Sequence, residues 1–181
     1  MQSISTKTGD AGESGLANGE RLPKHDAVFE VVGTLDELNS CIGLVIAVLH
    51  ESHPEHRAFL LEIQDTLFYV GAELARSPKA KLTAAALNKL EMIAESLQES
   101  MKDEWTTKFL MPGGTVLAAH TDIARAVCRR AERIVVEYSE HQAVSPLVLR
   151  YLNRLSDYLY LLRCFFNLSA EVAEKQFIAK K

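Results

Sequence analysis

Between Phe109 and Arg133 the chain reads FLMPGGTVLAAHTDIARAVCRRAER, and Arg125, Arg129 and Arg133 recur there at every fourth position. On a helix that spacing puts all three on one face. Stacked guanidinium groups repel one another unless an anion or carboxylates sit among them. Their planar fork of donors suits phosphate oxygens better than an ammonium does. Arg130 and Glu132 flank the line. For such a helix in isolation, a solvated basic face with local Glu132 and Glu137 pairs is the more ordinary explanation. Two features move the balance toward an anion site. One is the bent entry Pro112-Gly113-Gly114, and the other is a second glycine-rich segment near the N-terminus.

That segment, TKTGDAGESGLANGER, sets Gly9, Gly12, Gly15 and Gly19 among Thr6, Thr8 and Ser14. Glycines at such intervals expose backbone N–H groups that can form a concave anion nest. Lys7, Arg21 and Lys24 add positive charge. The segment is neither a Walker A loop nor GxGxxG. Read alone it is more often a flexible tail, and Asp10, Glu13 and Glu20 oppose a simple phosphate nest unless a metal is present. His50, His53 and His56 crowd around Pro54 without a recognised metal spacing. Asp36, Glu37 and Asn39 read as surface groups on their helix.

These groups need elements to position them. Leu35, Leu38, Ile42, Val45 and Leu49 keep a 3.6-residue period, which predicts a helix over 27–50. Similar seams predict helices over 56–76, 83–103 with Thr83 as N-cap, about 115–140 with Thr115 as N-cap, and 145–170 opened by Ser145-Pro146. Residues 1–25 are expected as loop and 171–181 as a frayed tail. No stretch alternates at period two. The expected fold is therefore all-α, a five-helix bundle of ferritin-like up-down arrangement in one domain over 1–181. A net charge of −4 and a pI near 5.9 exclude bulk nucleic-acid binding and leave room for a local anion pocket. Cys41, Cys128 and Cys164 are scattered and odd in number, as expected of reduced thiols in a cytoplasmic protein. The start lacks a signal core, and no apolar run is expected to be long enough to cross a bilayer.

Taken together, TKTGDAGESGL, GTLDELNSCIGL (33–44), PGGT (112–115), ARAVCRRAER (124–133) and YLNRLSDYLY (151–160) resemble the PduO-type ATP:cob(I)alamin adenosyltransferases. The motifs run in order from about residue 6 to 165. The resemblance implies a five-helix bundle assembled as a homotrimer, with active sites between subunits. It implies transfer of the 5′-deoxyadenosyl group of MgATP to reduced cobalamin, with release of triphosphate. Thr6, Lys7, Thr8, Gly9, Gly12, Ser14 and Lys24 would hold the triphosphate with its Mg2+, to which no side chain is assigned. Arg129 would bind the polyphosphate, Arg125 and Asp36 would pair across subunits, and Glu132 and Asn153 would lie at the nucleotide. Phe109 would sit under the corrin and displace its lower ligand. Such a site needs no catalytic Ser, Cys or His. A flavin reductase and an adenosylcobalamin-dependent enzyme are the partners it implies, with neither nucleic acid nor membrane. Thr121-Asp122, Ala11 and Glu13 depart from the family pattern and make the site less positive. They keep open a catalytically weakened cobalamin- or ATP-binding carrier of the same fold, and a helical adaptor is a more distant alternative.

Overall fold

The computed structural model describes residues 5–49, 51, 53–101 and 109–179. Helix α1 spans Ala27–Leu49, α2 Pro54–Leu74, α3 Ala84–Ser100, α4 Val116–Ser139 and α5 Pro146–Ser169. Each start has a local cause. The Asp26 carboxylate accepts the amide of Val28, Thr83 that of Ala86, Thr115 that of Ala118 and Ser145 that of Leu147. Each satisfies an otherwise orphaned helix donor. Helix α2 begins two residues before the expected 56, because Pro54 already has a helical φ and no N–H to lose.

Helices α1 and α5 each pack on α4; α2 lies against α1, and α3 against α5. Helix α4 is therefore central, and its buried positions show why it can be. Ala118, Ala124, Cys128 and Ala131 are small enough for two neighbours to approach closely. The larger seam residues come from those neighbours: Leu38, Ile42 and Val45 of α1, and Leu152, Leu155, Leu159 and Leu162 of α5. A reciprocal pair of amide bonds fixes α2 on α1. Asn39 Nδ2 donates to the Gln64 carbonyl at 3.3 Å, and Gln64 Nε2 to the Asn39 carbonyl at 3.0 Å. The all-α expectation holds.

Three expectations need correction. First, the leading segment is not all loop. Strands β1 (Glu13–Gly15) and β2 (Arg21–Pro23) pair antiparallel, with Ser14 opposite Leu22. They are too short and too rich in Gly and Pro to show alternation. The hairpin is held by burial of Leu16, an Ala17 amide bond to the Ala75 carbonyl, and an Arg76–Glu20 ion pair at 2.6 Å. Second, the end of the chain is not frayed throughout. The Met111 amide donates to the Lys175 carbonyl and the Phe177 amide to the Phe109 carbonyl, both at 2.7 Å. Leu110 and Gln176 thus form an antiparallel bridge. Third, α1 is long and apolar enough to cross a membrane, contrary to expectation. Here its apolar side is spent on α2 and α4, as in the core helix of a bundle.

Candidate active site

The arginine face of α4 opens on a cleft of about 340 Å3 between α3, α4 and α5. Gln98, Arg125, Arg129, Ser156, Asp157, Tyr160 and Leu161 line it. The three arginines of this face and Arg130 beside it are not equivalent. Arg125 Nε lies 3.2 Å from Asp122 Oδ1, Arg130 pairs with Glu37 of α1, and Arg133 donates to the Arg129 carbonyl. Among the described residues, the guanidinium of Arg129 makes no ion pair, although it is exposed and faces the cleft.

Glu132 and Asn153 stand together beside it. Asn153 Nδ2 donates to Glu132 Oε1 at 2.9 Å, and Asn153 Oδ1 accepts from Arg154 at 2.8 Å. Partial burial pushes the Asp157 carboxyl above the usual carboxylate range. Arg154 pulls against the shift and the Glu132 carboxylate adds to it. The cleft thus offers an uncommitted guanidinium next to a fixed amide and acids. That arrangement can hold an anion at one end and hydrogen-bond a polar ring or sugar at the other.

The other expected residues lie elsewhere in the single chain. Asp36 lines a cleft of about 540 Å3 between α1 and α2, with Asn39, Ser40, Gln64 and Asp65. It does not touch Arg125, whose carboxylate partner is Asp122. The N-terminal group forms its own cluster. The hydroxyls of Thr6 and Thr8 are 2.9 Å apart, the Lys24 amide donates to the Gly12 carbonyl, and Arg21 donates to the Thr8 carbonyl. A Cβ on Gly9 would come within 3.1 Å of Lys24 Nζ, so the ammonium lies directly over that glycine. Lys7 has φ +58°, a left-handed conformation that costs a non-glycine residue about 1–2 kcal/mol. Ser14 sits in β1, its backbone paired with Leu22. The segment is a curl in which Lys7, Arg21 and Lys24 are balanced by Asp10, Glu13 and Glu20, and it makes no described contact with Arg129 within one chain.

Phe109 is 82% exposed, and its carbonyl accepts the Phe177 amide. The loop after it is held by a polar cluster that sequence reasoning missed. Arg163 of α5 is 1% exposed; its Nη2 donates to the carbonyls of Met111 and Gly113, and its Nη1 to Glu174 at 3.0 Å. Its Nε lies 3.2 Å from Asp122 Oδ2. Asn167 donates to the Gly113 carbonyl and to Glu174, and accepts the Thr115 amide. The available signal was a charge and an amide inside the apolar run LYLLRCFFNL, since a buried charge demands partners.

Asn167 is packed onto Gly114, whose φ is +101°. Gly114→Ala would drive a methyl into that buried amide. The expected loss is about 2 kcal/mol or more in chemical denaturation, from steric clash and backbone strain together. An unchanged midpoint would mean that the loop does not pack this way.

The histidines expected to crowd Pro54 are packing residues where described. The ring of His56 lies 4.7 Å from that of Phe165, and His53 packs edge-on to Phe165 at 5.4 Å. Burial lowers the His56 pKa. His50 lies outside the described residues. Among the described residues no group of three or more His, Cys, Asp or Glu could hold a metal ion. The cysteines are free, and Cys128 donates its thiol to the Leu152 carbonyl.

The sequence profile described as Cobalamin adenosyltransferase matches residues 4–166. The chain belongs to the cobalamin adenosyltransferase family. Among its relatives is a cobalamin adenosyltransferase of Cupriavidus metallidurans, 39% identical over 168 residues, covering 92% of this chain and 89% of the relative. The corrinoid adenosyltransferase of Bacillus subtilis is 41% identical over 160 residues, covering 86% of this chain and 81% of the relative. Among solved structures, a phenylalanine-to-histidine variant of the PduO-type ATP:corrinoid adenosyltransferase of Lactobacillus reuteri, complexed with cobalamin and ATP, superposes with a TM-score of 0.90. It is 29% identical, with 97% of this chain and 96% of that one covered. Membership puts the arginine helix, the PGGT turn and the YLNRLSDYLY seam inside the matched span.

Proposed function

We propose that the cleft beside Arg129 is the polyphosphate end of an active site that joins ATP to a corrinoid. The chain is a corrinoid adenosyltransferase: it uses ATP to adenosylate cobalamin. The single observation that carries the site assignment is the guanidinium of Arg129, without an ion pair among the described residues, in a cleft flanked by the Glu132–Asn153 pair.

The reaction is a displacement at C5′ of ATP. Co(I) of the substrate supplies the electron pair of the new Co–C bond, the C5′–O bond breaks, and triphosphate departs with the bonding pair. Charge therefore builds on the leaving group, and the protein's task is to hold it. Arg129 takes the polyphosphate. The amides of the glycine-rich curl, with Thr6, Lys7, Thr8, Gly9, Gly12, Ser14 and Lys24, close on the remaining phosphates. Mg2+ bound with the ATP would neutralise part of their charge. Glu132 and Asn153 orient the nucleoside. Phe109 offers an apolar face beneath the corrin, excluding water from the axial position. No proton transfer is required, and the two arginines of the cleft, Arg125 and Arg129, can hold charge without one.

Within one chain the curl, Asp36 and the Arg129 cleft stand apart, so the reading requires a second copy to complete each site. A homotrimer with sites between subunits meets that requirement, with Asp36 of one copy facing Arg125 of the next. We read the protein as cytoplasmic, in keeping with its three free thiols. One observation favours a weakened carrier instead: Asp122 already neutralises Arg125. A single-turnover assay with chemically reduced cobalamin and MgATP separates the two. A cobalt–carbon bond formed at the rate of enzyme turnover is the expected result, and tight binding of both ligands without that bond would establish the carrier.

A further inference from the structure

Asp122 is largely buried in the second turn of α4, where it serves three groups at once. Its Oδ1 faces Arg125 Nε at 3.2 Å; its Oδ2 accepts the Gly113 amide at 3.3 Å and lies 3.2 Å from Arg163 Nε. Arg163 in turn holds the carbonyls of Met111 and Gly113. One carboxylate therefore ties the cleft arginine to the turn that follows Phe109. We infer that Asp122 is a positioning residue for the transfer step: it fixes Arg125 by Nε and couples that arginine to the Phe109 turn.

The geometry gives the reason. Anchoring a guanidinium by Nε occupies its side-on edge and leaves open the end-on edge formed by its two terminal nitrogens. Among the described residues those nitrogens of Arg125 make no hydrogen bond, and the side chain borders the same cleft as Arg129. A long side chain so fixed does not have to be ordered again when charge appears on the leaving group. The same carboxylate reduces the repulsion between Arg125 and Arg129, which lie one helical turn apart. Because Oδ2 belongs to the Gly113 turn, a shift of that turn would move Arg125 as well.

This inference rests on the cleft being the polyphosphate site. Its test is a double-mutant cycle of Asp122→Asn and Arg125→Ala on the full chain, read as single-turnover rates with reduced cobalamin and MgATP, with KM for ATP and helical content alongside. Asp122→Asn is expected to slow transfer about tenfold, with KM for ATP changed less than about threefold. In the Arg125→Ala background it is expected to add a clearly smaller loss, because part of its effect passes through Arg125 and only the remainder through the Gly113 turn. Additive losses, or an Asp122→Asn rate within about twofold of the unaltered chain, would overturn the inference. Should the Asn variant fail to fold, Asp122→Glu keeps a charge beside Arg163 while displacing the carboxylate. It is expected to show the same loss and the same non-additivity, and an undiminished rate overturns the inference. If the unaltered chain forms no cobalt–carbon bond, the transferase reading itself fails and takes the inference with it.

Discussion

Arg129→Ala is expected to reduce adenosyl transfer by about 100-fold to 1,000-fold, in line with removal of one donor to a developing oxyanion. The helical bundle should stand unchanged. The side chain is exposed and makes no ion pair among the described residues, so the folded chain loses little with it. Alanine also favours the helix slightly more than arginine does. The prediction thus separates a functional charge from a structural one. Its neighbours do not offer so clean a test, since Arg125 and Arg130 are each engaged by a carboxylate. Turnover and thermal midpoint measured on one preparation decide the matter. A variant with normal turnover would place the polyphosphate elsewhere.

Phe109→Ala is the second large effect, and it tests the other substrate. An aromatic ring 82% exposed contributes little to the stability of the chain. Its backbone bond to Phe177 survives the substitution. On the proposed reading, what is lost is the apolar face that would keep water from replacing the lower axial ligand. Co(II) then remains harder to reduce, because the axial orbital still meets a donor. Adenosylation starting from Co(II) is expected to slow at least tenfold, or about 1.4 kcal/mol in barrier. The spectroscopic signature of four-coordinate Co(II) in the ternary complex should vanish. An intact signature would assign the ring another role.

The helices and their caps were legible because each obeys local rules. Thr83, Thr115 and Ser145 cap from sequence as they do in the structure, and the leucine seams keep their period. The grouping of Arg125, Arg129, Glu132 and Asn153 was legible because two neighbouring helices carry all four. The Asp122 departure was visible too, as a loss of positive charge at the site, but not its partners at Gly113 and Arg163. Those depend on Arg163, Asn167 and Glu174, brought in by the return of a tail across the Phe109 turn. Nothing local in LSAEVAEKQF predicts that return: the bridge at Leu110 and Gln176 is main-chain pairing between distant segments. The hairpin was hidden for the same reason, being held by Leu16 and by Arg76 from the end of α2 rather than by its own sequence.

The acid at Glu174 has a consequence for the order in which the molecule is finished. On the ribosome, the Phe109 turn is made long before the carboxylate that helps to secure it. Until that acid arrives, the Arg163 guanidinium lacks one of its two anionic partners, and Asn167 has one acceptor fewer. The Phe109 turn is therefore fully secured only after the helices on either side of it have been made.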